Sequence, residues 1–258
     1  MPSHAYQNYA LLLLFFYLSP VFADNQATEI VKQALSHWRG EKSSYTVLQM
    51  TIQRPLPKGQ STMTLRVWTM GLKNALVHLI NPNNDKYNGH ALLLNHGKAW
   101  RFSPHTKQIT PISLSEMNQN WRASDFSNNE ITKMDDLVTH YTHSIKRTET
   151  TNTGQTVYLI EAKPKPDAAV IWGKQQLKIR DDQIILEQAF YDQQDILIKK
   201  RVTSKIKTMG GKAIATVQRM QLVDSVDEWT EIVIKEAKFN IKVPRGTFSL
   251  SNLRNKRF

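Results

Sequence analysis

The strongest constraint on the fold is a two-residue alternation of apolar and polar side chains that returns along most of the chain. Between Leu48 and Ile52, and again between Met63 and Val67, apolar residues occupy every second position. Successive side chains of a β-strand point to opposite faces, so this period predicts strands with one buried face. Turn-forming runs such as Pro55–Gly59 separate the strands and favour antiparallel hairpins.

The predicted strands continue along the chain, and roughly ten or eleven of them follow one another through short turns. One strong helix is predicted over Thr28–Arg39, because its apolar residues recur every three or four positions and Gly40 follows as a stop signal. The middle of the chain is richer in Ser, Asn and Asp, and we predict short helices at Ser113–Gln119 and Lys133–Tyr141. The predicted strands cover residues 48–52, 63–67, 75–80, 91–94, 99–102, 156–162, 170–179, 184–191, 197–208, 213–222 and 230–239. The predicted fold class is therefore mainly β with helices (α+β), built on one large, strongly curved antiparallel sheet.

The first 23 residues differ from the rest and have the pattern of a secretory signal peptide. The apolar run Tyr9–Leu18 is about half as long as a membrane-spanning helix needs to be. Val21-Phe22-Ala23 offers the small or modest residues that signal peptidase accepts. We therefore predict cleavage after Ala23, export to the periplasm, and one mature domain over residues 24–258. A buried N-terminal helix or an uncleaved anchor is the alternative, since the leader contains no Lys or Arg.

The composition narrows the possible functions. The chain contains no cysteine, which excludes disulfides, cysteine-ligated zinc, a thiol nucleophile and the lipid-modified cysteine of bacterial lipoproteins. Its 34 basic and 22 acidic residues give a formal net charge of +12. Because these charges are spread along the sequence, they are more typical of a soluble surface than of a nucleic-acid site. We therefore predict no nucleic-acid partner.

The sequence lacks the motifs that carry catalysis. It contains neither Gly-x-Ser-x-Gly nor His-Glu-x-x-His, and neither a phosphate-binding glycine loop nor a dinucleotide fingerprint. His140 and His143 are three residues apart and could share a metal, but no carboxylate lies at a convincing ligand spacing beside them. The sequence thus predicts a protein that is not an enzyme and has neither a cofactor nor a metal site.

A series of short motifs gives the chain a family resemblance. The series runs through Ala91-Leu92-Leu93-Leu94, Trp100-Arg101-Phe102-Ser103-Pro104 and Trp121-Arg122-Ala123-Ser124-Asp125-Phe126-Ser127-Asn128-Asn129-Glu130 to Val170–Lys174 and Phe248–Leu253. In order and spacing these motifs resemble the bacterial outer-membrane lipoprotein-sorting proteins, relatives of the periplasmic lipoprotein carrier LolA. The resemblance extends over nearly all of the chain after residue 23, and its most specific element is the Ser-Asp-Phe-Ser-Asn run.

This resemblance implies an unclosed antiparallel β-barrel of the LolA/LolB type, wrapped over helices that act as a lid above an apolar cavity. It also implies transfer of lipid or lipoprotein acyl chains toward the outer membrane, with an inner-membrane exporter as a candidate partner. We expect a monomer that contacts membranes peripherally at most. The residues expected to line the cavity and the lid are Met50, Ile52, Leu65, Val67, Leu92, Leu94, Trp100, Phe102, Trp121 and Phe126.

The most specific motif belongs to the expected lid. We expect Trp121 and Phe126 to face the cavity or to clamp the lid. Asp125 is expected to cap a following helical turn, because an aspartate accepts hydrogen bonds from free backbone N–H groups.

Two other functions compete with that of a carrier. The first is an accessory periplasmic partner of an inner-membrane exporter, with a filled core and no cargo of its own. The second is a hydrolase acting on envelope lipids, which would need a nucleophile–base pair that the sequence does not display.

Overall fold

Thirteen strands form one antiparallel sheet in the part of the chain that the structure describes. This computed structural model covers residues 20–80, 87–244 and 246–254. The first six strands are β1 (Ser43–Gln53), β2 (Gln60–Met70), β3 (Asn74–Ile80), β4 (Ala91–Asn95), β5 (Lys98–Ser103) and β6 (Gln108–Pro111). The other seven are β7 (Tyr141–Thr150), β8 (Thr156–Pro164), β9 (Lys174–Arg180), β10 (Ile185–Tyr191), β11 (Leu197–Met209), β12 (Lys212–Leu222) and β13 (Trp229–Phe239).

The order of the strands in the sheet shows two meanders placed side by side. Strands β1 to β6 follow one another in sequence order, as do β7 to β13, and β1 pairs with β13 where the meanders meet. Strands β6 and β7 therefore lie at the two edges of the sheet, which is unclosed. The prediction of a mainly β fold with an unclosed antiparallel sheet is confirmed.

Strands β6 and β7 were not predicted from the sequence. Strand β6 has only four residues, and β7 buries only Tyr141 and His143. Neither strand therefore carries the alternating apolar run on which a prediction depends. The predicted strand 170–179 is wrong at its start, because residues 170–173 are irregular and β9 begins at Lys174.

Helix α1 (Pro20–Arg39) confirms the predicted helix and packs on the second meander. Its fully buried residues include Val31 and Leu35, which belong to one apolar cluster with Ile160 of β8 and Leu177 of β9. The helix is therefore held by its apolar stripe, as expected for an amphipathic helix on a sheet.

The predicted signal peptide rests on the apolar run Tyr9–Leu18, which lies outside the described residues. The backbone of α1 begins at Pro20, three residues before the predicted cleavage point at Ala23. No helix in the described part of the chain is long and apolar enough to cross a membrane.

Residues 112–140, which we call the connecting segment, run from β6 at one edge of the sheet to β7 at the other. The segment contains single-turn 3₁₀ helices at Leu114–Glu116 and Trp121–Ala123, and the short helices α2 (Asn128–Thr132) and α3 (Asp136–Thr139). The two predicted helices are wrong in length. The first is one turn with a Ser113–Glu116 capping box, and the second covers only Asp136–Thr139, because the chain enters β7 at Tyr141.

Both faces of the first meander are covered. The face that carries Met50 and Leu65, which we call the inner face, packs against Trp121 of the connecting segment. The opposite, outer face carries Trp68, which belongs to a second apolar cluster with Leu253 near the end of the described chain. The connecting segment therefore lies over the inner face, and the C-terminal residues cover the outer one.

Gly40 ends α1 in a left-handed conformation (φ +84°) that leaves no space for a side chain. A Cβ atom there would lie 2.7 Å from the Phe239 ring and 2.9 Å from the Ser43 carbonyl oxygen. We expect Gly40→Ala to lower the free energy of unfolding by more than about 1 kcal/mol, measured by urea denaturation. The control is Gly71→Ala, because Gly71 also has a positive φ (+56°) but has no neighbour within 4 Å of such a Cβ. Equal losses in the two variants would contradict the steric part of this prediction.

Candidate functional site

An apolar cavity lies between the inner face of the sheet and the connecting segment. Its volume is about 130 Å³. Strands β1 to β4 supply one part of the wall and β11 to β13 supply another, and the end of α1 and the connecting segment complete it. Seven of the residues predicted for a binding site line this cavity, namely Met50, Leu65, Val67, Leu92, Leu94, Trp121 and Phe126.

The other three predicted residues do not line the cavity. Ile52 belongs to the same apolar cluster as the cavity wall but packs beside it. The placement of Trp100 and Phe102 at the cavity was wrong, because they pair with Leu93 and Ala91 on the outer face. Paired residues of neighbouring antiparallel strands share a face. All of β4 except its last residue is buried. Strand β4 therefore shows no apolar–polar alternation from which the face of Trp100 and Phe102 could be predicted.

The connecting segment reaches the cavity through a strained turn. Arg122 (φ 52°) and Ala123 (φ 61°) both adopt the left-handed region that costs a residue with a Cβ atom of the order of 1 kcal/mol or more. The turn is held by hydrogen bonds that Arg54 Nη2 donates to the Ala123 carbonyl (2.7 Å) and Ser124 Oγ donates to the Trp121 carbonyl (2.6 Å). Contacts with the rest of the molecule therefore keep this conformation in place.

Asp125 is the most buried charged group of the connecting segment, and its side chain is only 2% exposed. Its carboxylate accepts two hydrogen bonds from Arg54, at 2.9 and 3.2 Å, and one from the Thr230 hydroxyl at 2.7 Å. The predicted helix-capping role of Asp125 was wrong. Ser127 caps α2 instead, because its hydroxyl accepts from the Glu130 N–H.

Glu130 makes a second buried ion pair beside the first. Its carboxylate accepts hydrogen bonds from Lys199 Nζ (2.9 Å), from Trp172 Nε1 (3.1 Å) and from the Ser127 N–H (3.1 Å). Lys199 Nζ also donates to the Asp125 carbonyl at 2.7 Å. The side chains of Lys199 and Glu130 are 6% and 9% exposed, so solvent hardly screens this pair.

These side chains form one structure, which we call the anchor network. It consists of Arg54, Asp125, Glu130, Trp172, Lys199 and Thr230. Its two carboxylates face two cations, and it joins the connecting segment to both meanders. Because each buried charge is paired and also hydrogen-bonded, the network can fix the position of the segment. Removing one partner would leave the other charge buried and uncompensated.

The wall of the mainly apolar cavity also carries charged side chains, namely Arg39, Arg201 and the Glu130 of the anchor network. Arg39 is buried at the end of α1 and donates hydrogen bonds to the carbonyls of Gly71, Leu72 and Asn74. Burial lowers the pKa of Arg39 to about 10. These bonds tie α1 to the turn between β2 and β3, which is a structural role for Arg39.

Sequence reasoning did not single out Arg54, Lys199 or Arg201. Lys199 and Arg201 occupy alternate positions of β11 and point inward, whereas Val202, the next residue of the strand, points outward and is 41% exposed. The usual expectation that apolar side chains face the core gives the opposite assignment for this strand. The sequence carries three consecutive cations there, Lys199-Lys200-Arg201, and these do not show by themselves which of them point inward.

The histidine pair considered for a metal does not form a metal site with other residues. His143 is buried and its Nδ1 lies 3.1 Å from the Thr28 hydroxyl, whereas His140 is half exposed and lies 3.6 Å from Asp136. Within the described ranges, no group of three or more His, Cys, Asp or Glu side chains could hold a metal ion.

The fold and the cavity define the class of this protein. Its members have an unclosed antiparallel sheet whose inner face is covered by the segment that connects the two edges of the sheet. Solved structures share this fold. A protein domain from Vibrio parahaemolyticus, named for outer membrane lipoprotein sorting, superposes with a TM-score of 0.75 at 19% identity, over 90% of this chain and 99% of that one. A DUF1329 family protein from Desulfovibrio piger gives 0.75 at 21% identity, over 90% and 99%. A LolA superfamily protein from Nitrosomonas europaea gives 0.70 at 18% identity, over 88% and 98%.

The sequence comparison agrees with the structural one. A family model described as that of an uncharacterized protein matches residues 71–255, which is most of the chain. No curated protein matches the chain significantly. The chain belongs to this family, and its fold is the one shared by the lipoprotein-sorting and LolA superfamily structures, as the resemblance implied.

Proposed function

We propose that this protein is a soluble periplasmic carrier or chaperone that binds lipid or lipoprotein acyl chains in the cavity and takes part in their transfer toward the outer membrane. In this proposal residues 1–23 are a signal peptide cleaved after Ala23, and residues 24–258 are the binding domain. The connecting segment is the lid, and the protein acts by burial of apolar surface without bond chemistry. The observation that carries the proposal is the apolar cavity between the inner face and the connecting segment.

The size of the cavity requires the lid to move. Its volume of about 130 Å³ is below the roughly 300–1,000 Å³ of a typical ligand pocket. An acyl chain therefore needs the connecting segment to be displaced from the inner face. The two left-handed residues of the strained turn store energy that such a displacement would release. The described conformation corresponds to the closed, unloaded state in this proposal.

The names of similar proteins agree with lipid binding. The Vibrio parahaemolyticus domain is named for the sorting of outer membrane lipoproteins, and the fold of this chain matches it over nearly its whole length. The same small cavity also favours a second function, that of an accessory periplasmic partner of an inner-membrane exporter that carries no cargo. A search for bound lipid distinguishes the two.

The proposal is tested by the lipid that purifies with the protein. We expect native mass spectrometry, followed by organic extraction, to find an acyl-chain species on the parent protein and much less on Val67→Phe. Val67 lines the cavity, and the larger ring fills space there without burying a polar group, at a stability cost of about 1–3 kcal/mol. Val202→Phe is the matched control, since Val202 points outward and is 41% exposed.

The outcomes separate the two functions. Lipid on the parent and on Val202→Phe, with little on Val67→Phe, would support a carrier that uses this cavity. A parent protein that stays free of lipid after incubation with envelope lipids would favour the accessory partner. Equal amounts of bound lipid on the parent and on both variants would mean that the lipid binds outside this cavity.

A further inference from the structure

The inner face of the sheet is amphipathic, and its two halves differ in chemistry. On the first meander the cavity wall is mostly apolar, with Met50, Leu65 and Leu92, and its polar members are the hydroxyl residues Ser44, Thr46 and Thr69. On the second meander a polar strip crosses four neighbouring strands. It consists of Gln175 on β9, Gln188 on β10, Arg201 on β11 and Gln218 on β12, and each of the three glutamines is no more than 7% exposed.

Hydrogen bonds hold part of this strip in one arrangement. Arg201 Nη2 donates to Gln188 Oε1 at 2.5 Å, and Gln188 Nε2 donates to Gln175 Oε1 at 2.6 Å. The strip is therefore oriented, with the guanidinium at one end of a chain of amides. Within the strip, two buried side-chain atoms have no hydrogen-bond partner among the described residues. These atoms are Arg201 Nε and Gln218 Oε1. Both residues line the cavity.

The charge of Arg201 is not balanced by an ion pair within the described ranges. The nearest acid that influences it is Glu130, but the carboxylate of Glu130 already accepts from Lys199, Trp172 and the Ser127 N–H. Burial lowers the pKa of Arg201 to about 10, which leaves the guanidinium charged at neutral pH. Arg201 is partly buried, and a charge removed from water without a counterion is unfavourable, whereas methionine would fill the same space at a lower cost.

The space around Arg201 is small. Arg201 lines the main cavity and two further voids of about 50 and 10 Å³. Voids of this size have room for a group of a few atoms, since one water molecule already needs roughly 10–15 Å³. A carboxylate fits this space better than a glycerophosphate headgroup, and it matches the fork of N–H donors on a guanidinium.

We infer that Arg201, oriented by Gln188, binds the carboxylate of a single-chain fatty-acid-like amphiphile whose alkyl chain lies along the apolar wall of β1 to β4. This inference rests on the proposed function, and it specifies the ligand class. The headgroup of the ligand then lies inside the protein, and its negative charge completes the ion pair that Arg201 lacks. The apolar wall supplies affinity for the alkyl chain, and the arginine selects by headgroup among ligands of equal chain length.

The test compares three ligands that differ only in headgroup. Calorimetric titration of the delipidated protein uses dodecanoic acid, dodecan-1-ol and dodecyl phosphate at pH 8. We expect the parent to bind dodecanoate at least about tenfold more tightly than dodecanol, because hydrogen bonds between charged groups are the stronger ones. In Arg201→Met the two affinities should become equal. Arg219→Met is the matched control, since Arg219 lies on β12, is half exposed and pairs with Glu231.

Stability gives a second readout that a purely structural role would not share. If Arg201 serves a ligand, Arg201→Met should melt higher than the parent in the absence of ligand, by roughly 2–4 °C. A variant that melts lower and keeps the preference for dodecanoate would overturn the inference and make Arg201 a structural residue.

The ligand series also distinguishes this inference from the proposed function. If the parent binds dodecanoate and dodecanol equally, the inference fails and lipid carriage stands. If it binds neither, both fail. A preference for dodecyl phosphate over dodecanoate would overturn the assignment of a carboxylate.

Discussion

Replacing Asp125 with alanine is expected to lower the free energy of unfolding by about 3–5 kcal/mol, because it removes one partner of a buried ion pair. The carboxylate of Asp125 is 2% exposed and accepts two hydrogen bonds from Arg54 and one from the Thr230 hydroxyl. Without it, the acidic neighbour that the Arg54 guanidinium keeps among the described residues is the more exposed Glu228, at 3.6 Å. Urea denaturation of the variant and the parent measures the difference.

Asp182→Ala is the matched control for this prediction. Asp182 also accepts two hydrogen bonds from one arginine, Arg180, at 2.8 and 2.7 Å, but it lies in a turn and its side chain is 31% exposed. An ion pair near the surface contributes about 1 kcal/mol or less. If the two variants lost similar stability, burial would not be what makes the anchor network strong.

The same substitution should also affect function, because the network holds the connecting segment on the sheet. We expect Asp125→Ala to exchange bound lipid faster than Asp182→Ala. The strained turn at Arg122 and Ala123 loses part of its support when Arg54 has no carboxylate to hold it. In the proposed function the connecting segment is the lid, which then opens more readily.

The elements that could be predicted from the sequence are those specified by neighbouring residues. Helix α1 and the strands from β1 to β5 and from β8 to β13 follow from local periodicity and from turns such as Met209-Gly210-Gly211-Lys212. Strand β7 could not be predicted, because it contributes little to the core and is held by backbone pairing with β8. The face on which Trp100 of β5 lies could not be predicted either, because its partner strand β4 is buried on both faces and shows no apolar–polar alternation.

The anchor network could not be predicted, because its members are far apart in sequence. Asp125 is 71 residues from Arg54 and 105 residues from Thr230, and Glu130 is 69 residues from Lys199. The Ser-Asp-Phe-Ser-Asn run was recognised as specific from its residues. The structure gives a physical reason for that specificity, since the run supplies an acid to the network, an apolar side chain to the cavity and a helix cap within a few positions.

Trp121→Ala is expected to cost about 3–5 kcal/mol of stability, because it removes a large buried side chain between the connecting segment and the inner face. Trp121 is 5% exposed and lines the cavity. If only about 1.4 kcal/mol of this contact energy holds the lid closed, its loss should speed lipid release about tenfold. Stopped-flow transfer of a fluorescent fatty acid to acceptor vesicles measures that rate.

Trp100→Ala separates the effect on the lid from the effect on stability. Trp100 is a partly buried tryptophan that packs in the cluster on the outer face, away from the cavity. Its removal should also destabilise the protein but should leave the release rate close to that of the parent. Equal acceleration in both variants would show that release follows overall stability, and the connecting segment would then not be the lid. A faster rate in Trp121→Ala alone would mean that one aromatic contact on the inner face controls access to the cavity.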